Sequence, residues 1–283
     1  MINQEREKNE VESANNSPSG AGAKLFVIKI GGNIIDDSEK LQSFLQSFAL
    51  IEGKKILVHG GGKVATKIGD KLGIESKYVD GRRITDRETI DLVTMVYAGL
   101  INKNIVAKLQ SFGCNAIGLT GADANMIPAT KRPVKEIDYG FAGDINSPLP
   151  TATSQLLLEQ NIAIVFAPIT HDGNGQLLNT NADTIAQEIA KSLSTVYDVS
   201  LVYSFEKAGV LLDANDDSTV IRQINPSYYQ QLKSEQKIFA GMIPKLNNAF
   251  SALNSGVNKV IIGKAEQLHE LLAATAGTTI IND

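Results

Sequence analysis

Lys29 sits inside an otherwise apolar run, LFVIKI (Leu25–Ile30), two residues before the pair Gly31-Gly32. An ammonium there is costly unless an anion or a carboxylate compensates it, so the position points to a negatively charged ligand. A second glycine-rich turn, His59-Gly60-Gly61-Gly62, ends another apolar run, KILVH (Lys55–His59). Tight turns favour glycine for conformational reasons alone, and either turn by itself says little. Two of them, each opening a helix, supply backbone N–H groups and helix N-termini, which form an anion cradle. Arg82-Arg83 offer guanidinium groups that read a carboxylate bidentately, although a solvated turn with two charges is the plainer alternative. Asn179-Thr180-Asn181-Ala182-Asp183 leads into a helix, and Lys245 ends the segment GMIPK (Gly241–Lys245) at the start of another. A cation is unfavourable at that end of the helix dipole, so Lys245 also suggests an anionic partner. The chemistry common to these positions is the handling of phosphate.

Other phosphate and nucleophile motifs are absent. Gly62-Lys63 is followed by Val64 rather than Ser or Thr, and no glycine stands five residues before Gly62, so the turn is not a P-loop. Neither Asp-Phe-Gly nor G-x-G-x-x-G occurs. His59, His171 and His269 lack the spacing of metal ligands, and no metal-binding side chains are assigned. His59 is expected to hold the glycine loop by hydrogen bonding rather than to act as a base. Cys114, in SFGCNA, reads as a small buried hydrophobe.

The elements that position these residues alternate between strand and helix from Leu25 onward. Apolar runs at 25–30, 55–59, 116–119 and 162–168 read as buried parallel strands, three of them ending in glycine-containing turns. Asp36, Asp37 and Ser38 offer caps for a helix to Ala49, and a helix to Leu72 follows the second glycine turn. Residues 77–84 are too short for a crossover and read as strand or hairpin. Thr85-Asp86-Arg87-Glu88 forms a capping box before a long helix to Phe112. Residues 126–147 carry the Pro and Gly breaks of β-hairpins, and 151–160 a helix. Helices at 182–193, 242–254 and 265–274 alternate with strands at 201–203, 259–263 and 278–281. The fold class is α/β, an open, mostly parallel sheet with helices on both faces, and ligands bind such sheets beyond the carboxyl ends of the strands.

The chain has 283 residues, 43% of them hydrophobic, enough for one large α/β unit or two lobes on a shared sheet. The net charge of −4 is evenly spread, with no basic stripe, which argues against a nucleic-acid partner. No apolar run approaches the roughly 20 residues of a membrane span. One cysteine excludes an intramolecular disulfide, and a reducing cytoplasm is the expected compartment. Residues 1–23 are polar and end in a Ser/Pro/Gly/Ala stretch without an apolar h-region, and are expected to form a disordered tail.

The succession KIGG (29–32), VHGGG (58–62), GRRITD (81–86), GLTGADANMIPA (118–129), FAGDI (141–145), APIT (167–170), LLNTNADTIA (177–186) and GMIPK (241–245) resembles the acetylglutamate kinases of the amino acid kinase family. The resemblance runs in order through residues 24–283. It implies a three-layer αβα sandwich with two lobes. The N-terminal lobe, 24–195, would bind the acyl-glutamate and form a homodimer, with the long helix after Thr85 at its surface. The C-terminal lobe, 196–283, would bind ATP. The implied reaction is ATP-dependent phosphorylation of the side-chain carboxylate of N-acetyl-L-glutamate in arginine biosynthesis. Lys29 and Lys245 would flank the transferring phosphoryl group, with Asp183 holding both lysines. Gly31 and Gly32 would donate N–H groups to phosphate oxygens, Gly61 and Gly62 to phosphate or substrate. Arg83 and Asn179 would hold the acyl-amino acid, and Mg2+ would be bound mainly through the phosphates of ATP. A kinase for another N-acyl-glutamate, such as N-succinyl, and a non-catalytic sensor of the same fold are the alternatives. The stretch YSFEKAGVLLD (203–213) departs from the S-D-V-x-G-(I/V)-L of these kinases, with Phe205-Glu206-Lys207 in place of Asp-Val. Relatives sensitive to arginine carry an N-terminal amphipathic helix that links dimers into a hexamer. Residues 1–23 lack its apolar stripe, so an unregulated homodimer is expected.

Overall fold

In the computed structural model, residues 22–79, 81–238 and 242–282 are described. The expectations for the tail (residues 1–21) and for Gly241 of GMIPK lie outside the described residues. Strand β1 (Lys24–Ile30) passes through a one-turn helix α1 (Gly32–Ile35) into α2 (Ser38–Ala49). Strand β2 (Lys54–His59) leads into α3 (Gly62–Leu72) and the hairpin β3 (Tyr78–Val79)–β4 (Arg82–Arg83). Helix α4 (Arg87–Val93), a π-helical stretch (Thr94–Ile101) and α5 (Asn102–Ser111) form one long rod. Strand β5 (Ala116–Leu119), the hairpin β6 (Ala129–Lys131)–β7 (Gly143–Ile145) and α6 (Ala152–Glu159) follow. Then come β8 (Ala163–Phe166), the hairpin β9 (Ile169–His171)–β10 (Leu177–Asn179) and α7 (Ala182–Leu193). The remainder is β11 (Asp198–Phe205), β12 (Gln223–Ile224), α8 (Pro226–Ser234), α9 (Ile243–Asn254), β13 (Lys259–Lys264), α10 (Leu268–Leu272) and β14 (Thr278–Ile280).

Eight strands make one sheet in the order β12-β14-β13-β11-β1-β2-β8-β5, parallel except where β14 runs against β13. Strands buried on both faces must be apolar on both faces, which is why β1, β2 and β8 read as unbroken hydrophobic runs. Leu25 and Val27 face the core under α6, α7, α8 and α9. Ile28 and Ile30 face the opposite core, shared with α2, α4, α5 and α10. The result is the three-layer αβα sandwich expected from the sequence. The rod from Arg87 to Ser111 is long and apolar enough by length and composition to cross a membrane, but Ile90, Val93, Ile101, Ile105 and Leu109 face the core.

Two local readings need correcting. The cap of α4 is Asp86, whose carboxylate accepts from the Thr89 amide at 2.9 Å. Thr85 is not part of a capping box: it is fully buried and bridges to Gly140 in strand fashion. The helix from 87 onward is also not a uniform α-helix, since Thr94–Ile101 winds as a π-helix. Such i→i+5 segments are rare and recur beside functional sites.

Candidate active site

Strand β1 lies between β11 and β2, so the chain leaves it to one side early and returns to the other side late. The carboxyl ends of these strands therefore frame a crevice at a reversal of strand order, where open α/β sheets take their ligands. Lys29, opposite Tyr203 in register, reaches the first turn of α7, where its Nζ lies 2.7 Å from Asp183 Oδ1. Asp183 sits at the positive end of that helix dipole, a favourable place for a carboxylate. The turn is built by Asn181, whose side chain accepts from the amides of Asp183 and Thr184 at 2.8 and 3.2 Å. Tyr203 donates to the Asp183 backbone carbonyl at 3.4 Å. Burial raises its phenol far above the ordinary range, with the Asp183 and Glu188 charges adding to the effect, so it stays a neutral donor.

Lys245, on the first turn of α9, lines the same cavity as Lys29 and Asp183. Among the described residues it has no carboxylate within ion-pair distance, and its Nζ stands 4.7 Å from the centroid of the Phe205 ring. Asp183 is thus in contact with Lys29, whereas Lys245 stands over an aromatic face. Tyr203 and Asn248, which also line this cavity, were not picked out from the sequence, and Phe205 was noted only as a departure from the kinase pattern.

The two glycine turns differ in what they have free. The Gly31 amide is already donated to the Ser204 carbonyl at 3.0 Å, tying β1 to β11, so Gly31 is not a free donor. Gly32 opens α1, and first-turn amides have no acceptor within their own helix. Gly61 has φ 151°, and a Cβ there would stand 2.3 Å from Ile101 Cδ1 and 3.1 Å from the Tyr97 ring. Only glycine fits, and the π-helical stretch is what crowds it. Gly62 begins α3, and a Cβ there would meet nothing within 4 Å.

Behind this loop, His59 is fully buried. Its Nδ1 donates to the Gly60 carbonyl at 2.7 Å and its Nε2 accepts from Asn102 at 3.3 Å. Burial pushes its pKa down to about 4, so the ring is neutral and both its nitrogens are engaged in bracing the loop. Lys63 donates to the Asn33 side-chain oxygen, and the Asn33 amide donates to the Glu206 carboxylate, linking both glycine turns to the end of β11.

The residues assigned to the acyl-amino acid are joined by one hydrogen-bonded path. Asn179 Nδ2 donates to Thr85 Oγ1 at 3.0 Å, and that hydroxyl donates to the Arg83 carbonyl at 3.3 Å. The Arg83 guanidinium donates to the Gly62 carbonyl and to Thr66 Oγ1, each at 2.9 Å, and to Ser76. Arg83 is 8% exposed and stacks on Tyr78, with its charged group 4.8 Å from the ring centroid. It is thus a braced guanidinium beside the second glycine turn, not a solvated turn residue. Thr85 is the connecting residue that sequence reasoning gave to a helix cap. Among the described residues, no group of three or more His, Cys, Asp or Glu could hold a metal ion.

The sequence profile of the amino acid kinase family matches residues 24–264. An acetylglutamate kinase of Cytophaga hutchinsonii is 59% identical over 261 residues, covering 91% of this chain and 98% of that protein. One from Bacteroides fragilis is 58% identical over 246 residues, covering 87% of this chain and 94% of its own length. Among solved structures, smu.665 from Streptococcus mutans UA159 superposes with a TM-score of 0.72 at 27% identity, covering 92% of this chain and 99% of its own.

Proposed function

The chain belongs to the amino acid kinase family, and from that premise we propose that it transfers the γ-phosphoryl group of ATP to the side-chain carboxylate of N-acetyl-L-glutamate. The observation that carries the reading is the pair of lysines, Lys29 and Lys245, facing one cavity, of which, among the described residues, only Lys29 has a carboxylate partner. A glutamate side chain has a reference pKa of about 4.3, so the acceptor is already ionised at neutral pH and needs no base. One carboxylate oxygen forms a bond to phosphorus as the bond to the ADP oxygen breaks, with the proton count unchanged. The barrier lies in bringing two anions together and stabilising the charge between them, which is positioning plus electrostatics. Lys29 and Lys245 answer that charge from the two lobes, 24–195 and 196–283. Asp183 orients Lys29 without taking a proton. Gly32, Gly61 and Gly62 line the phosphate and substrate turns, and Arg83 and Asn179 hold the acyl-amino acid. Mg2+ would be held mainly by the phosphate oxygens of the nucleotide, where it would shield their charge.

We place the homodimer surface on the rod after Asp86, where Met95 and Leu100 are 59% and 47% exposed. The compartment is the cytoplasm, where the lone buried Cys114 stays reduced. The test is acyl-phosphate formation, trapped with hydroxylamine, on N-acetylglutamate, N-succinylglutamate and free glutamate. Turnover best on N-acetylglutamate supports the reading; equal or better rates on free glutamate overturn it, and a preference for the succinyl substrate moves the acyl assignment. Lys245→Ala lowers kcat by at least about 10²-fold, the scale of one lost transition-state donor; an unchanged kcat removes its role.

A further inference from the structure

We propose that Phe205 is a positioning residue for Lys245, its ring face holding the ammonium at the phosphoryl site without cancelling its charge, a role that rests on the kinase reading above. The two lysines at the cavity are restrained by different chemistry. Lys29 is fixed by the Asp183 carboxylate at 2.7 Å, whereas Lys245 lies 4.7 Å from the Phe205 ring centroid. The negative face of an aromatic ring attracts an ammonium but carries no net charge. A carboxylate in the ring's place would hold the free lysine more tightly and then repel the incoming phosphate.

The ring is set by the sheet. Phe205 is the last residue of β11, opposite Lys264 of β13, and its Cβ is 3.6 Å from where a Cβ on Gly31 would stand. Lys245 is on the first turn of α9, where the helix dipole disfavours a cation and gives it no restraint of its own. The adjacent acid, Glu206, is engaged elsewhere, accepting from the Asn33 amide of the first glycine turn. Phe205 therefore joins a fixed strand end to a lysine carried by a separate element, with Tyr203 and Lys29 on the same wall.

The experiment compares Phe205→Leu, Phe205→Met, Phe205→Tyr and Phe205→Trp in the full chain, alone and combined with Lys245→Met. Leu and Met keep an apolar side chain of similar volume but lose the ring face. Each lowers kcat about three- to ten-fold, with the KM for ATP within about two-fold of wild type and the melting temperature preserved. Tyr and Trp restore at least half of the wild-type kcat. In the Lys245→Met background, Phe205→Leu has no further effect, since a double-mutant cycle isolates a shared interaction. A Lys245 side-chain proton resonance shifted upfield by the ring, and returned to the ordinary lysine position in Phe205→Leu and Phe205→Met, reports the contact without turnover. The proposal is overturned by wild-type kcat in the Leu and Met variants, or by loss with Tyr and Trp equal to that with Leu. It is equally overturned by a rise in KM for ATP at constant kcat, which would assign the ring to the nucleotide, or by additive effects in the cycle. A wild-type enzyme without kinase activity but with the shifted resonance would refute the function proposed above and not the contact.

Discussion

Gly61→Ala tests whether the second glycine turn is shaped by the rod that packs behind it. The residue has φ 151°, and a side chain held in so sparsely populated a backbone region costs about 1–3 kcal/mol. The new methyl would meet Ile101 Cδ1 at 2.3 Å and the Tyr97 ring at 3.1 Å, both carried by the π-helical stretch. Forcing a methyl into a filled core costs a further amount of about 1–3 kcal/mol. The sum, about 2–6 kcal/mol, corresponds to a fall in melting temperature of about 3–10 °C for a chain of this size. Gly60→Ala is the matched control, since a Cβ there meets nothing within 4 Å. Its expected change is within about 0.5 kcal/mol. Thermal melting by circular dichroism, at one protein concentration and pH for all variants, reads both. In the folded fraction of Gly61→Ala, kcat/KM falls about 10²-fold, because the turn must shift to admit the methyl. A Gly61→Ala melting temperature within 1 °C of wild type, or a larger fall for Gly60→Ala, refutes the packing argument.

Two further expectations concern charge. His59 is held at a pKa of about 4 by burial, against about 6.5 when unfolded. Between these values the unfolded chain binds the proton and the folded chain does not, so stability is lost as pH falls through 6.5 toward 4, by up to about 3 kcal/mol. Urea titrations at stepped pH should show this slope, and a slope unchanged in His59→Gln would exclude His59 as its source. Asp183→Asn should lower kcat about ten- to a hundred-fold by releasing Lys29. Because both partners are partly exposed, stability changes by less than about 1 kcal/mol; steady-state kinetics with a melting curve checks this, and full kcat would contradict the orienting role.

The sheet was legible because its central strands are buried on both faces. LFVIKI, KILVH and IAIVFAP can be read as strands without any partner in view, and Lys29 stands out because it breaks such a run. Helix α7 was legible to its ends, since Asn181 caps it locally. The interior winding of Thr94–Ile101 was not, because α- and π-turns share one apolar pattern and differ only in how the rod meets Gly61. Thr85 was misread for a related reason: S/T-x-x-E is a helix-start signature, but pairing with Gly140 and Asn179 claimed the threonine and left the cap to Asp86. Lys29 stood out by residue type and position, whereas Asp183 as its partner came from the resemblance to the acetylglutamate kinases. The Phe205–Lys245 contact was not legible, because an aromatic residue at a strand end carries no mark of the cation that will lie over it, and the two are distant in sequence. Gly31 was assigned by its turn, yet its amide is spent on Ser204, a bond visible only once β11 is beside β1.

That adjacency also governs how the chain can be made. Strand β1 pairs with β2 soon after both are synthesised, but its other edge waits for β11, with Lys24 opposite Asp198 and Ile30 opposite Ser204. At about 5–20 residues per second, the central strand spends on the order of ten seconds with one row of N–H and C=O groups unpaired. Such an open edge is a template for pairing with another chain. A fragment ending near residue 195 would keep that edge for its whole life, so residues 24–195 depend on β11 to close their sheet.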